Sequence, residues 1–373
     1  MNKQDKRRNR YMLEKGPLAS RGYDWWWHSF TGKNEQTGEE KSFFIEYFII
    51  NPALGGEHPV FGQLPGTTNK PSYVMIKAGH WGENAKQIHR FYGIDHMKMR
   101  SEQLDLVVGD CTLSETSMKG SVALSKEECE KHPEYMSDSG QMSWDLKIDK
   151  QVAFHVGYGA ASMFRAMNAF EMFWHAEGMK TEYEGTVILD GVIYTISPKT
   201  SYGYADKNWG GDFTSPWVWL SSCNLISKIS GRRLENSVFD VGGGKPKVFG
   251  VPLDRKLLID FYYEGQSYEF NFSKFWTFTR TKFDCHETDD EIVWNVSSQN
   301  SGYAIEIEIS CPKNEMLLVN YEAPNGKKLH NRLWNGGTGR GEIKLYKKQQ
   351  GSVILIDHLM TANVGCEYGE YDL

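Results

Sequence analysis

Apolar and polar residues alternate strictly along Met142-Ser-Trp-Asp-Leu-Lys-Ile148, and again from Ile305 to Ile309. A period of two places one face of a strand on a core and the other in water. The run Ser42-Phe-Phe-Ile-Glu-Tyr-Phe-Ile-Ile50 is aromatic and β-branched almost throughout and stops at Asn51-Pro52. Tyr73 to Ala78 alternates less cleanly. Asp190-Gly191, Glu264-Gly265 and Asn325-Gly326 are hairpin turn pairs with strand-like sequence on both sides. Many short strands joined by such turns point to sandwiches or barrels. The 373 residues suffice for about two domains of ~150 residues, each with its own core.

One stretch pulls the other way. Gly159 to Lys180 is rich in Ala, Met, Phe and Glu, and its propensity favours helix. Residues 1 to 15 read as a charged, polar N-terminal tail. Gly55 to Pro71 and Ser125 to Gly140 lack periodicity and read as loops, candidates for lids over a ligand mouth.

The run Ser201-Tyr-Gly-Tyr-Ala-Asp-Lys-Asn-Trp-Gly210, continued by Trp217-Val-Trp219, sets one carboxyl, Asp206, among Tyr202, Tyr204, Trp209, Trp217 and Trp219. Ring faces attract cations. A carboxyl among apolar rings is pushed toward its neutral acid. A neutral acid beside such rings is equipped to protonate a carbon–carbon double bond and shelter the carbocation. The same spacing also fits a barrel core in which Asp206 caps a turn, and core aromatics are the commoner case. In Trp25-Trp26-Trp27-His28 a strand would send Trp25 and Trp27 one way and Trp26 and His28 the other. His28 is then a candidate to orient an acid or a substrate hydroxyl. The alternative is a strand crossing between two hydrophobic layers, with His28 bonded to backbone.

Other chemistries find little support. The net charge is −6, so there is no broad case for binding nucleic acid or an anionic membrane. The six cysteines are scattered without a Cys-x-x-Cys pair, which argues against a disulfide framework. Cys285-His-Glu-Thr-Asp-Asp-Glu291 holds metal-type ligands but reads as a solvated hairpin. Gly242-Gly-Gly-Lys245 lacks phosphate-loop spacing, and Gly336 to Gly341 reads as a loop before a strand at Glu342 to Tyr346. There is no Gly-x-Ser-x-Gly elbow. The charged N-terminus lacks the apolar segment of a signal peptide, and no apolar run approaches the ~20 residues of a membrane helix. The expectation is a cytoplasmic, reduced protein without stable membrane insertion.

Tyr204-Ala-Asp-Lys-Asn-Trp-Gly-Gly-Asp-Phe213, Trp217-Val-Trp219 and Cys223-Asn224 together resemble the signature of the tocopherol cyclase family, which typically reads Tyr-Ser-Glu-Lys-Asn-Trp-Gly, Trp-Phe-Trp and Gln-Cys-Asn. Phe170-Glu171 with Trp174 resembles its Phe-Glu-Pro-His-Trp segment. Phe261 to Phe270 resembles its Tyr-Asp-Gly-x-x-Tyr-Glu-Phe hairpin, and Met360 to Gly365 its closing segment. The resemblance covers most of residues 160 to 368. It implies an all-β fold of two lipocalin-like antiparallel β-barrel units with little helix, divided as 16–160 and 161–373. It also implies a short helix or loop at Ala160 to Asn168, and a strand from Phe170 that opens the second unit.

For function, the resemblance implies a cyclase of the isomerase class. The reaction is an acid-catalysed intramolecular addition of a hydroxyl to an alkene of a hydrophobic, prenylated or polyene substrate, with no cofactor. Carotenoid 1,2-hydratases, a more distant family, have an acidic Asp after a Tyr-x pair, and Tyr204-Ala205-Asp206 is similar. The acid role falls on Asp206. Tyr202, Tyr204, Trp209, Trp217, Trp219, Asn224, Trp27 and His28 are the expected substrate-binding residues. The departures are Asp206 for the family's Glu, Ser222 for its Gln, and Gly365-Cys366-Glu367 for its terminal glycines. They leave open an alkene hydratase, a pericyclic cyclase, or a non-enzymatic carrier of hydrophobic molecules.

Overall fold

Strand pairing sorts a computed structural model of the chain, which describes residues 3–62, 69–100, 102–154, 167, 169–326 and 329–370, into two large antiparallel sheets. One has 12 strands between Tyr23 and Gly210; the other has 11 between Trp217 and Glu370. A two-stranded ribbon, Lys247–Val248 with Val251–Pro252, stands apart. The all-β, two-unit architecture expected from the alternation is the one observed.

Sheet membership changes between Gly210 and Trp217, well past residue 160. The Met172–Leu189 strand is indeed a strand, but it pairs with Gly140–Phe154 and Gly203–Gly210, and so completes the first sheet instead of opening the second. The segment Ala160 to Asn168, apart from residue 167, lies outside the described residues.

Three hydrophobic clusters follow from the pairing. Trp26, Phe43, Ile45, Tyr47 and Ile49 belong to the core inside the first sheet. Val218, Trp294, Ile305, Ile307 and Ile309 belong to the core inside the second. The third cluster joins the two sheets and holds Trp27, Phe44, Phe48, Trp174, Tyr204, Trp217 and Trp219. The strand Glu40–Ile50 is therefore buried on both faces, which explains why its run from Phe43 to Ile50 is apolar except at Glu46. Glu291–Gln299 and Tyr303–Pro312 bury one face only and alternate accordingly. The Trp25 to His28 run does cross between two hydrophobic layers. Trp27 faces the layer between the sheets, and Trp26 faces the first core.

Three local readings are corrected. The N-terminal tail is folded: Lys3–Asn9 is helical, Tyr11 and Leu13 are buried, and the Trp26 indole donates to the Asn9 carbonyl at 2.7 Å. The Ser125 to Gly140 loop holds a helix, Lys126–Lys131. Its capping box was written in Ser125-x-x-Glu128, where Ser125 Oγ accepts from Glu128 N and Glu128 Oε2 accepts from Ser125 N. Gly336 to Gly341 is not a loop but part of the Leu329–Gln349 strand. A Cβ on Gly337 would fall 2.1 Å from the Trp81 ring, so glycine there makes room for an indole.

Candidate active site

Asp206 sits on the Gly203–Gly210 strand, directly across from Trp27 of the Tyr23–Lys33 strand. Alternation along that strand turns Tyr204, Asp206 and Asn208 toward the layer between the sheets. The Asp206 carboxyl is buried there. Its Oδ2 accepts from the Trp174 indole at 2.8 Å and from the Tyr204 hydroxyl at 3.2 Å. Its Oδ1 has no partner among the described residues, and neither does the buried Trp27 Nε1.

The second sheet supplies the opposite wall. Asp240, on Val238–Gly244, places Oδ2 at 3.4 Å from the Tyr204 hydroxyl. Trp219, on Trp217–Ser222, donates from Nε1 to both the Tyr204 oxygen and Asp240 Oδ1, each at 3.2 Å. One phenol thus lies between two buried carboxyls on different sheets. Trp217 donates to Glu367 Oε2 at 2.9 Å, and its ring meets Trp174 edge to face at 6.2 Å. Further along the layer Lys77 pairs with Glu46 at 3.0 Å, and Tyr321 donates to that same carboxylate at 2.9 Å.

Burial holds the Asp206 carboxyl well above its usual range. The Trp174 and Tyr204 donors oppose the shift, and the charge of Glu367 adds to it. Asp240 is raised well above its ordinary value by burial and then by the charge of Asp206. Glu367 is pushed up to about 7, mainly by burial. Burial and the two aspartates likewise hold Tyr204 in its phenol form. The arrangement presents a neutral acid whose second oxygen is already supplied with donors. A proton on Asp206 then resides on Oδ1, the oxygen with no partner among the described residues, next to Trp27.

The other expected site residues divide. Tyr204, Trp217, Trp219 and Trp27 are brought to this layer. Trp209 is not beside Asp206: it lies on the other face of the same strand, stacked on Phe173 at 5.5 Å. His28 points into the first core, where Tyr183 lies 2.9 Å away. The Tyr183 hydroxyl donates to the Tyr204 carbonyl at 2.9 Å, so His28 Nδ1 is the donor to the phenol oxygen. Burial and then the Lys150 charge hold His28 well below its usual value, and it is neutral. Tyr202 precedes the strand with a positive φ of 42° and bonds Arg233; with Cys223 it lines a separate cleft of about 160 Å³. Asn224 donates to Asn363 Oδ1 at 2.6 Å and braces the Ser352–Glu370 strand. A larger cleft of about 740 Å³, lined by Asp254, Arg255, Phe283 and Glu308, lies on the second unit away from Asp206. Among the described residues no three His, Cys, Asp or Glu side chains gather to hold a metal.

Asp240, Glu46 and Lys77 were not singled out in the sequence, and Glu367 entered only as part of the departure from the terminal glycines. Their signal is a lone ionisable residue inside an apolar strand run, as in Val238-Phe-Asp-Val241. A second signal is glycine within strands. A Cβ on Gly242 would lie 2.7 Å from the Trp174 ring, and one on Gly365 would lie 2.2 Å from Trp219. These glycines mark where indoles of one strand lie over the backbone of another.

The order of these motifs along the chain has a counterpart among known proteins. Residues 72–370 match the family model described as tocopherol cyclase-like. The chain belongs to the tocopherol cyclase-like family. A 161-residue stretch of this family member is 32% identical to the chloroplastic tocopherol cyclase of Zea mays. That stretch is 42% of this chain but only 31% of the maize protein, so the shared region spans about a third of that relative. Among solved structures, an AttH-like protein from Nitrosomonas europaea aligns at 10% identity and a TM-score of 0.46, over 95% of this chain and 94% of its own. Kievitone hydratase from Nectria haematococca aligns at 12% identity and a TM-score of 0.42, over 97% of this chain and 93% of its own. No helix among the described residues of this tocopherol cyclase-like protein is long and apolar enough to cross a membrane.

Proposed function

We propose that the protein is an isomerase that closes a ring by adding a hydroxyl of a prenyl-type substrate across one of its own double bonds, with Asp206 as the acid. The observation that carries this reading is the Asp206 carboxyl itself. It is buried, held in its neutral form, supplied with two donors on Oδ2 and, among the described residues, unpartnered on Oδ1.

Asp206 Oδ1–H gives its proton to one alkene carbon, and the π pair forms the new C–H bond. The adjacent carbon becomes a tertiary cation, which the Trp27 and Trp174 faces stabilise. The substrate hydroxyl oxygen closes on that carbon. Its proton leaves and restores the acid, so atoms balance and no electrons are exchanged. Trp174 Nε1–H and Tyr204 O–H, fixed on Oδ2, stabilise the carboxylate that forms as the proton departs. Donors placed in advance where charge develops are worth more than donors that must reorient. Trp217, Trp219 and Tyr204 form the rest of the aromatic wall.

The family relationship supports a cyclase, and the donor arrangement supports an acid-catalysed one. The test is Asp206→Asn, which preserves shape but carries no acidic proton. With a prenylated hydroquinol as substrate, the variant folds and binds while turnover falls by more than the ~10²–10⁴-fold usual for a general acid. Turnover within a few-fold of the parent protein rejects the assignment. A product 18 mass units heavier than the substrate would identify hydration instead of cyclisation.

A further inference from the structure

Four adjacent strands bring one row of side chains to the layer between the sheets. Asp206 lies across from Trp27, Trp27 from Glu46, and Glu46 from Lys77 on the Tyr73–His80 strand. Residues directly across neighbouring antiparallel strands share a face. The row that begins at the acid therefore passes through an indole to a fully buried ion pair. Asp206 and Glu46 stand two strands apart, about 10 Å from backbone to backbone at ordinary strand spacing. The charges of Glu46, Glu367 and Asp206 all act on the Tyr321 phenol, which places them around one space.

Glu46 repeats the arrangement of Asp206. Its Oε2 is held by Lys77 at 3.0 Å and by the Tyr321 hydroxyl at 2.9 Å, and its Oε1 has no partner among the described residues. The neighbouring carboxyls are occupied on both oxygens: Glu367 accepts from Trp217 and Asn335, and Asp240 meets Trp219 and Tyr204. A buried polar atom left unpaired is costly. Glu46 Oε1 is thus an acceptor kept for a group that the neighbouring side chains do not supply. The two poles of the row also differ in kind. Asp206 is bonded by an indole and a phenol, whereas the Lys77 ammonium gives a carboxylate at Glu46 its counter-charge.

We propose that Glu46 Oε1 receives the substrate hydroxyl that closes the ring, so that the Glu46–Lys77 pair selects a headgroup that donates a hydrogen bond over one that only accepts. The substrate lies along the row, with its alkene at Asp206 Oδ1, its hydroxyl at Glu46 and Trp27 between them. Reacting atoms ~3–3.5 Å apart at the acid and at the nucleophile, followed by one hydrogen bond of ~2.7 Å, span about 9–10 Å. That matches the separation of the two strands. No bond is made or broken on Glu46. It accepts a hydrogen bond and leaves the hydroxyl oxygen a lone pair for the cation. This assignment rests on Asp206 being the acid at the other end, but its test requires no turnover.

The test is equilibrium dialysis of the full chain with two probes that have no alkene: a hydroquinol carrying a saturated alkyl chain, kept reduced under argon, and the corresponding quinone. The two have nearly the same shape. The headgroup oxygens of the first donate, and those of the second only accept. The parent protein is expected to bind the hydroquinol ~10-fold or more tightly than the quinone, as a hydrogen bond to a charged group allows. In Glu46→Gln the amide oxygen stays with Lys77 and Tyr321, which puts its NH2 donor at the Oε1 position. The preference should then fall below about threefold. Glu46→Gln combined with Lys77→Met repeats the measurement without leaving an ammonium buried alone. Asp206→Asn keeps the preference, because neither probe offers the acid a double bond, so a failed acid assignment and a failed Glu46 assignment give different results. Equal binding of both probes by the parent protein overturns the proposal and leaves Oε1 to a structural water. A preference retained in both Glu46 variants, or lost in Asp206→Asn alone, overturns it as well.

Discussion

Removing a single oxygen, in Tyr204→Phe, separates the catalytic part of the account from the structural part. The hydroxyl donates to Asp206 Oδ2 at 3.2 Å, stands 3.4 Å from Asp240 Oδ2 and accepts from Trp219 at 3.2 Å. Its loss strands none of the atoms it touches on Asp206 and Trp219. Asp206 Oδ2 keeps the Trp174 indole, and Trp219 keeps Asp240 Oδ1. A hydrogen bond that leaves its partners satisfied is worth about 1 kcal/mol, whereas a buried orphan costs up to ~3. Asp240 Oδ2 alone is left without a partner among the described residues, so the variant is expected to lose about 2–3 kcal/mol in urea unfolding. Catalysis is hit harder, because the Asp206 carboxylate formed during proton transfer keeps one of two donors. Deleting one such donor lowers turnover by ~10²–10³-fold. Chromatographic product formation at saturating substrate, beside the unfolding curve, measures both. Turnover within threefold of the parent protein would refute the donor argument. A stability loss above ~4 kcal/mol would refute the hydrogen-bond assignment.

Other outcomes follow from the same geometry. Trp174→Phe is expected to lower turnover ~10²-fold or more by removing the shorter donor to Asp206, while Trp209→Phe, on the far face of the strand, leaves turnover near the parent value; equal losses would contradict the face assignment. Gly242→Ala places a methyl against the Trp174 ring and is expected to cost about 1–3 kcal/mol by overpacking, read as a lower unfolding midpoint; a neutral result would mean that Trp174 sits elsewhere. Glu367 binds its proton up to about 7 in the folded state against 4.5 ordinarily. The folded chain thus holds more protons than the unfolded one across that window. The stability this confers is full below 4.5 and is lost as pH rises through about 7. Melting is expected at a lower temperature at pH 8 than at pH 6, with a smaller difference in Glu367→Gln; a flat profile in the parent protein would rule this out.

The fold was legible because strand period and turn chemistry are local properties. Ile305 to Ile309 alternates because only one of its faces is buried, and Glu264-Gly265 supplies the two positive φ values of its turn, 45° and 90°. Sheet membership was not legible. Whether Met172–Leu189 pairs with Gly140–Phe154 or with a later strand depends on long-range register, which a run of apolar residues does not encode. The site was half legible. Asp206 stands out because one carboxyl interrupts an aromatic run, and Trp217 and Trp219 share a side as strand geometry requires. Trp209 was misplaced because the run was read as one patch, although odd and even positions of a strand face opposite ways. Asp240 and Glu367 could be joined to Asp206 only once the two sheets had met.

Proton transfer from Asp206 to carbon is tested most directly by running the reaction in heavy water with a prenylated hydroquinol and locating the label by mass spectrometry and NMR. The exchangeable Oδ1 proton becomes deuterium, so the product should carry one deuterium on the alkene carbon that received it, and Asp206→Asn should form none of this product. A ring-closed product with no deuterium at that carbon, or labelled product formed at the parent rate by Asp206→Asn, would contradict the account.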